Sequence, residues 1–95
     1  MEAREFALQA RINVQTLEAW LEAGWLAPRR NDEGTHYSDV DLARAHLIED
    51  LRRLGINDEG VPVILDLVDQ LHGLRYVLRV LLSTVRAQQL EPGRT

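Results

Sequence analysis

The sequence predicts a mainly α-helical fold: a small body of three short helices and a β-hairpin wing, followed by one long helix. Three observations carry this. Two amphipathic stretches each open on a capping residue and close on a glycine, from Asn13 to Gly24 and from Ser38 to Gly55. Between them, "APRRNDEGTHYS" places turn residues inside an extended pattern. After Asn57, apolar residues recur in alternating steps of three and four over three heptads.

The elements follow in order. The first helix is expected over roughly Glu2 to Gln9, with Phe6 four residues before Ala10 and Leu8 nearby. "RIN" turns the chain. Asn13 can cap the second helix, because its side-chain oxygen can accept a backbone N–H of the first turn. Leu17, Trp20 and Leu21 form its buried stripe, and Gly24 ends it by tolerating the left-handed conformation. This makes a helix-turn-helix. Trp25, Leu26 and Pro28 lead into the hairpin, whose tip is expected near Asp32 to Gly34. Ser38 with Asp41 comes close to a capping box for the third helix. Leu42, Ala45, Leu47, Ile48 and Leu51 form its core face, and Gly55 ends it.

Asn57 can cap the last helix, and Asp58 and Glu59 suit its positive end. Pro62 falls in or just after the first turn, where a missing N–H does least harm. The repeat is Ile64, Leu67, Leu71, Leu74, Leu78, Leu81 and Val85. Val63, Val68, Val77, Val80 and Leu82 widen it beyond a two-stranded seam. Such a helix is about 45 Å long at 1.5 Å per residue, more than the preceding body could cover. Part of it is expected to pack on that body and the remainder on a second copy, with the repeat as dimer interface. The expected organisation is residues 1–56 as body, 57–90 as long helix and 91–95 as flexible tail, one domain overall; "QQLEPGRT" is expected to fray.

Composition limits the function. Fifteen acidic residues against eleven basic ones give a formal charge of −4. A protein that lives on phosphate contacts usually has the opposite balance. The absence of cysteine excludes disulfides, thiolate metal sites and cysteine nucleophiles. The first residues, "MEAREFALQAR", hold no apolar signal core, and no stretch approaches the ~20 apolar residues of a membrane span. A cytoplasmic protein is the expectation.

Chemistry-bearing constellations are scarce. His36, His46 and His72 lie in three different elements, and no pair has the spacing of a helical metal site. For His72 the expectation is a hydrogen-bonding role near a helix packing surface. Asp66 and Asp69 share a helix face, but no pocket-forming architecture surrounds them. Phosphate-binding glycine loop, nucleophile elbow and zinc motif are all missing. Neither catalysis nor a cofactor is expected.

The helix-turn-helix is the main signal. Such a motif reads bases through its second helix while nearby cations hold phosphates. Gln15, Thr16, Glu18, Ala19 and Glu22 should point outward, and Gln15 and Thr16 could touch bases. Arg11, Arg29 and Arg30 are the candidate phosphate anchors. Glu18 and Glu22 oppose them, since they would face about two negative charges per base pair.

The order helix, turn, helix, wing, helix, long helix resembles MerR-type transcription factors, and the segment from Asn13 to Ile56 looks like their N-terminal domain. Leu17, Trp20, Gly24, Leu26, Pro28, Tyr37, Asp41 and Leu42 match its scaffold. That family usually carries arginine where Glu18 stands, and often an aromatic pair at Ala19 and Trp20. The departure falls on residues that would touch DNA, which suggests a fold whose DNA face has been given up. The stretch "ARAHLIEDLRRLGINDEGVPVILDLVDQLHGLR" is similar to the chaperone-modulator branch, the CbpM-type proteins, through Leu47, Ile48, Asp50, Gly55, Asn57 and Gly60 and on to Asp69, Gln70, His72 and Leu74.

What this resemblance implies is a non-enzymatic homodimer that binds and inhibits the J-domain of a DnaJ/CbpA-type co-chaperone. J-domains present a basic helix to their chaperone partner, and an acidic binder could cover it. Asp50, Asp58, Glu59, Asp66 and Asp69 gather around the joint between the third and fourth helices, where Leu47, Leu54 or Ile56 can add apolar area. The alternative is a MerR-family regulator that binds DNA, the disfavoured partner. An antiparallel dimer is what the resemblance suggests; heptads alone do not set direction.

Overall fold

The structure, a computed structural model, describes residues 1–89; the expected frayed tail lies mostly outside the described residues. The element order is α1 (Ala3–Ala10), α2 (Val14–Glu22), β1 (Arg29–Asn31), β2 (Gly34–His36), α3 (Asp39–Arg53) and α4 (Gly60–Gln89). The fold is mainly helical with one antiparallel hairpin and a long last helix, as the sequence predicts.

Capping chemistry sets the helix starts. The Asn13 side chain accepts from the Thr16 N–H at 2.7 Å. Ser38 and Asp41 form the full capping box: the Ser38 N–H donates to Asp41 at 2.8 Å, and the Asp41 N–H donates to the Ser38 hydroxyl at 3.2 Å. The Asn57 side chain accepts from the Gly60 N–H at 2.8 Å, and its carbonyl accepts from Val61 at 3.1 Å. Replacing Asn13 with Ala is therefore expected to cost about 0.5–2 kcal/mol. Chemical denaturation measures it, and an unchanged midpoint would contradict the cap.

Three helix ends share one device. At α2 and α3 the residue past the cap is left-handed and the following N–H reaches back to the third-last helical carbonyl; at α1 the cap itself is left-handed and the bond reaches the fourth-last. Gly24 (φ 78°) and Gly55 (φ 88°) serve α2 and α3 in this way. There the Trp25 N–H donates to the Trp20 carbonyl at 2.9 Å and the Ile56 N–H to the Leu51 carbonyl at 3.0 Å. At α1 the left-handed residue is Arg11 (φ 59°), and the Ile12 N–H donates to the Ala7 carbonyl at 3.0 Å. A side chain at such a φ costs roughly 1 kcal/mol or more against glycine.

The hairpin pairs Arg29 with His36, Arg30 with Thr35 and Asn31 with Gly34. Asp32 and Glu33 form its exposed tip, and the Asn31 side chain accepts from the Glu33 N–H at 2.9 Å.

Two compact units divide the chain, the first being Met1–Pro62 and the second beginning at Val63. In the first, Phe6, Leu17, Ile48 and Val61 are fully enclosed. The Phe6 ring stacks on Tyr37 at 4.3 Å and 18°, and Trp20 meets Trp25 at 6.3 Å, closing the turn after α2 over its own last helical turn. The Arg44 guanidinium donates to the Trp25 carbonyl at 2.6 Å, tying α3 to the segment before the wing. Leu21, Leu42 and Leu47, expected in the core, are half-buried, and Leu8 is 79% exposed. Leu8 lies off the stripe that Phe6, Ala7 and Ala10 define, and burial in this two-turn helix is confined to that stripe. In the second unit Leu65 is buried and Ile64 and Val68 are half-buried. From Asp69 to Gln89 every residue is exposed.

Candidate interaction surfaces

The reading-helix face presents Gln15, Glu18, Ala19 and Glu22 to solvent. Thr16, expected to point outward, is half-buried, and its N–H is taken by the Asn13 cap. Arg29 and Arg30 are exposed on β1, but the acidic tip residues Asp32 and Glu33 follow directly.

The three arginines proposed as phosphate anchors are not gathered in one depression. Arg29 lines one of about 630 Å³ at the wing base with Tyr37, Ser38 and Asp41. Arg11 lines another, of about 440 Å³, with Gln9, His46, Glu49, Asp50 and Arg53. The left-handed cap at Arg11 thus brings this cation to the α1–α3 side, beside two carboxylates. Tyr37 holds its phenol proton above the ordinary pKa, through burial first and the Asp41 charge second, with Arg30 opposing.

One apolar feature escaped the sequence reading. Leu8, Ile12 and Val14 border a depression of about 480 Å³ with Ala7, Arg4 and Gln15. It lies where a DNA-reading helix would present its first turn. The available signal was that Leu8 and Val14 fall outside the buried stripes of α1 and α2.

The end of α3 and the turn after it carry Asp50, Leu54, Ile56, Asp58 and Glu59, all in the first unit. Leu54 is the α3 C-cap and is 78% exposed, although it is a large apolar side chain. Asp50 lies one helical turn before it, and the Leu54 N–H donates to the Asp50 carbonyl at 3.0 Å. Ile56 is half-buried, while Asp50, Asp58 and Glu59 are exposed. Asp58 pairs with Arg52 at 2.8 Å, which offsets part of its charge. Asp66 and Asp69 belong to the second unit. Asp66 accepts from the Gln70 amide at 2.9 Å.

The heptad stripe is the largest apolar feature. Leu67, Leu71, Leu74, Leu78, Leu81 and Val85 are all about half exposed along α4, and Ile64 is half-buried. Val77, Val80 and Leu82 broaden it. Contiguous apolar surface on this scale marks an interaction face.

The histidines do not converge. His36 contacts Asn31 at 3.2 Å in the wing and His46 approaches the Gln9 carbonyl at 3.5 Å. His72, expected near a packing surface, is exposed on α4. Among the described residues no group of His, Asp or Glu is placed to hold a metal ion, and no helix is long and apolar enough to cross a membrane.

The family model for MerR HTH family regulatory proteins matches residues 1–67, which takes in α1, α2, the wing, α3 and the start of α4. No curated protein and no solved structure matches the chain. The helix-turn-helix, the hairpin after it, the capped third helix and a match over more than half the sequence lead to one conclusion: this chain belongs to the MerR HTH family.

Proposed function

We propose that this MerR-family chain is a non-enzymatic, protein-binding modulator that docks on and inhibits the J-domain of a DnaJ/CbpA-type co-chaperone. The observation that carries the reading is Leu54, exposed at the C-cap of α3, with Asp50, Asp58 and Glu59 exposed within five residues of it along the chain. An apolar centre with an acidic rim suits a basic amphipathic helix: the leucine supplies buried area, and the acids steer approach and select the partner. Rim ion pairs contribute little singly, and Asp58 is already engaged by Arg52. Most of the affinity is therefore assigned to Leu54 and Ile56. Asp66 and Asp69 are proposed as secondary contacts. The similarity of residues 43–75 to CbpM-type modulators supports the same partner.

The functional unit is proposed to be a homodimer joined through Ile64, Leu67, Leu71, Leu74, Leu78, Leu81 and Val85. An antiparallel pairing is favoured on two physical grounds. It opposes the helix dipoles. It also sets the two first units, each with seven arginines against twelve acidic residues, at opposite ends of the pair.

A second reading, a DNA-binding regulator, is favoured by the family match and by Arg29 and Arg30 on the wing. Salt separates the two. Phosphate neutralisation makes affinity fall steeply and linearly on a log–log scale. The modulator reading expects no duplex binding at low salt from the wild type. It expects the Glu18→Arg, Glu22→Arg double variant to gain weak, salt-sensitive binding. Tight wild-type binding with a steep salt slope would favour the regulator.

A further inference from the structure

We propose that the paired α4 helices carry an anion site for phosphoryl groups, built from His72, Arg75 and Arg79 of both copies. The inference rests on the dimer described above. His72, Arg75, Arg79 and Arg86 follow one another at intervals of three, four and seven, so they form one ridge along α4. All four are exposed. No Asp or Glu lies three or four positions from any of these arginines, where a helical ion pair would form. At about 100° per residue, Asp66 falls away from the ridge, whereas Asp69 stands three positions before His72, about 60° from it, and farther from the arginines. His72, Arg75, Leu78 and Arg79 line a surface depression of about 470 Å³.

The ridge borders the stripe along one flank. In an antiparallel pair, like flanks face each other; in a parallel pair they lie on opposite sides. Arg75 is close to the midpoint of the Ile64-to-Val85 stripe, so the Arg75 and Arg79 of two copies meet near the two-fold axis. The result is a cluster of guanidinium groups with no carboxylate at helical ion-pair spacing from any of them, beside an apolar seam that weakens solvent screening. Like charges so placed oppose association. A phosphoryl group relieves that opposition, because guanidinium forks match its oxygens two at a time. A ligand held only by the dimer tightens the dimer by mass action.

The test is sedimentation equilibrium of the full chain at constant ionic strength, with chloride exchanged for inorganic phosphate, then for pyrophosphate and ATP. The dimer dissociation constant is expected to fall about tenfold when the anion reaches roughly ten times its own dissociation constant. The Arg75→Gln, Arg79→Gln variant is expected to dimerise more tightly than wild type in chloride and to ignore the anion. A response to inorganic phosphate assigns the site to the free ion. A response to pyrophosphate or ATP alone assigns it to phosphoryl groups on a larger molecule. A wild-type dimer indifferent to all three anions would overturn the site and leave the dimer standing, as would a variant that kept the response. A wild-type chain that stayed monomeric throughout would overturn both.

Discussion

Replacing Leu78 and Leu81 with glutamate is expected to give a monomer whose first unit stays folded and whose α4 loses helicity beyond Val68. Both side chains are half exposed in the single chain and belong to the second unit, whereas the enclosed residues Phe6, Leu17, Ile48 and Val61 belong to the first. In a dimer each substitution places two carboxylates in an apolar seam. The effective penalty is several kcal/mol per ion, against ~1.4 kcal/mol for each tenfold in affinity. Even a nanomolar dimer would be dissolved by it. Residues 69–89 would then stand alone as an isolated helix, which is marginal in water at that length. Wild-type helicity should accordingly rise with protein concentration, while that of the variant should be low and independent of it. Sedimentation with far-UV dichroism measures both. A stable wild-type monomer with a fully helical α4 would contradict the assignment of the stripe.

The second large effect is in the body. Phe6→Ala is expected to destabilise the first unit by about 3–5 kcal/mol. Phe6 is completely buried and stacked on Tyr37, so truncation removes its transfer free energy and leaves a cavity against the partner ring. Small domains are held by only about 5–15 kcal/mol. The variant should therefore unfold at markedly lower urea, with a second effect on the wing through Tyr37. A loss under 1 kcal/mol would mean that the cavity collapses freely, and the stack would then count for little.

The contrast between what the sequence reveals and what it hides has a physical origin. Asn13, Ser38, Asp41, Asn57, Gly24 and Gly55 act on backbone groups within a few residues, so their roles are legible from local order alone. The stripe on α4 is legible for the same reason, because heptad periodicity is local. Side-chain placement that depends on other elements is not. Thr16 looked free until packing at the start of α2 half-buried it. Arg11 looked like a companion of Arg29, but its left-handed backbone turns it to the α1–α3 side. The pairing of Asp58 with Arg52 crosses the turn between α3 and α4, a separation of six residues that no helical rule anticipates. The acidic group around the α3–α4 joint was read as one cluster; Asp50, Asp58 and Glu59 share the first unit, whereas Asp66 and Asp69 lie in the second.

The family match places a helix-turn-helix here without requiring that it touch DNA. Glu18, Glu22, Asp32 and Glu33 are all exposed on the elements that would approach a duplex. Four carboxylates there weaken binding to every sequence alike. Leu54, 78% exposed on the same unit, is the binding centre we propose instead. The most direct measurement is a calorimetric titration of the wild-type chain with a folded J-domain from the same organism's DnaJ/CbpA-type co-chaperone. The modulator reading predicts a complex at tens of micromolar or tighter, weakened at least tenfold by Leu54→Asp with the fold intact. No heat of binding at those concentrations, with both partners folded, would contradict it.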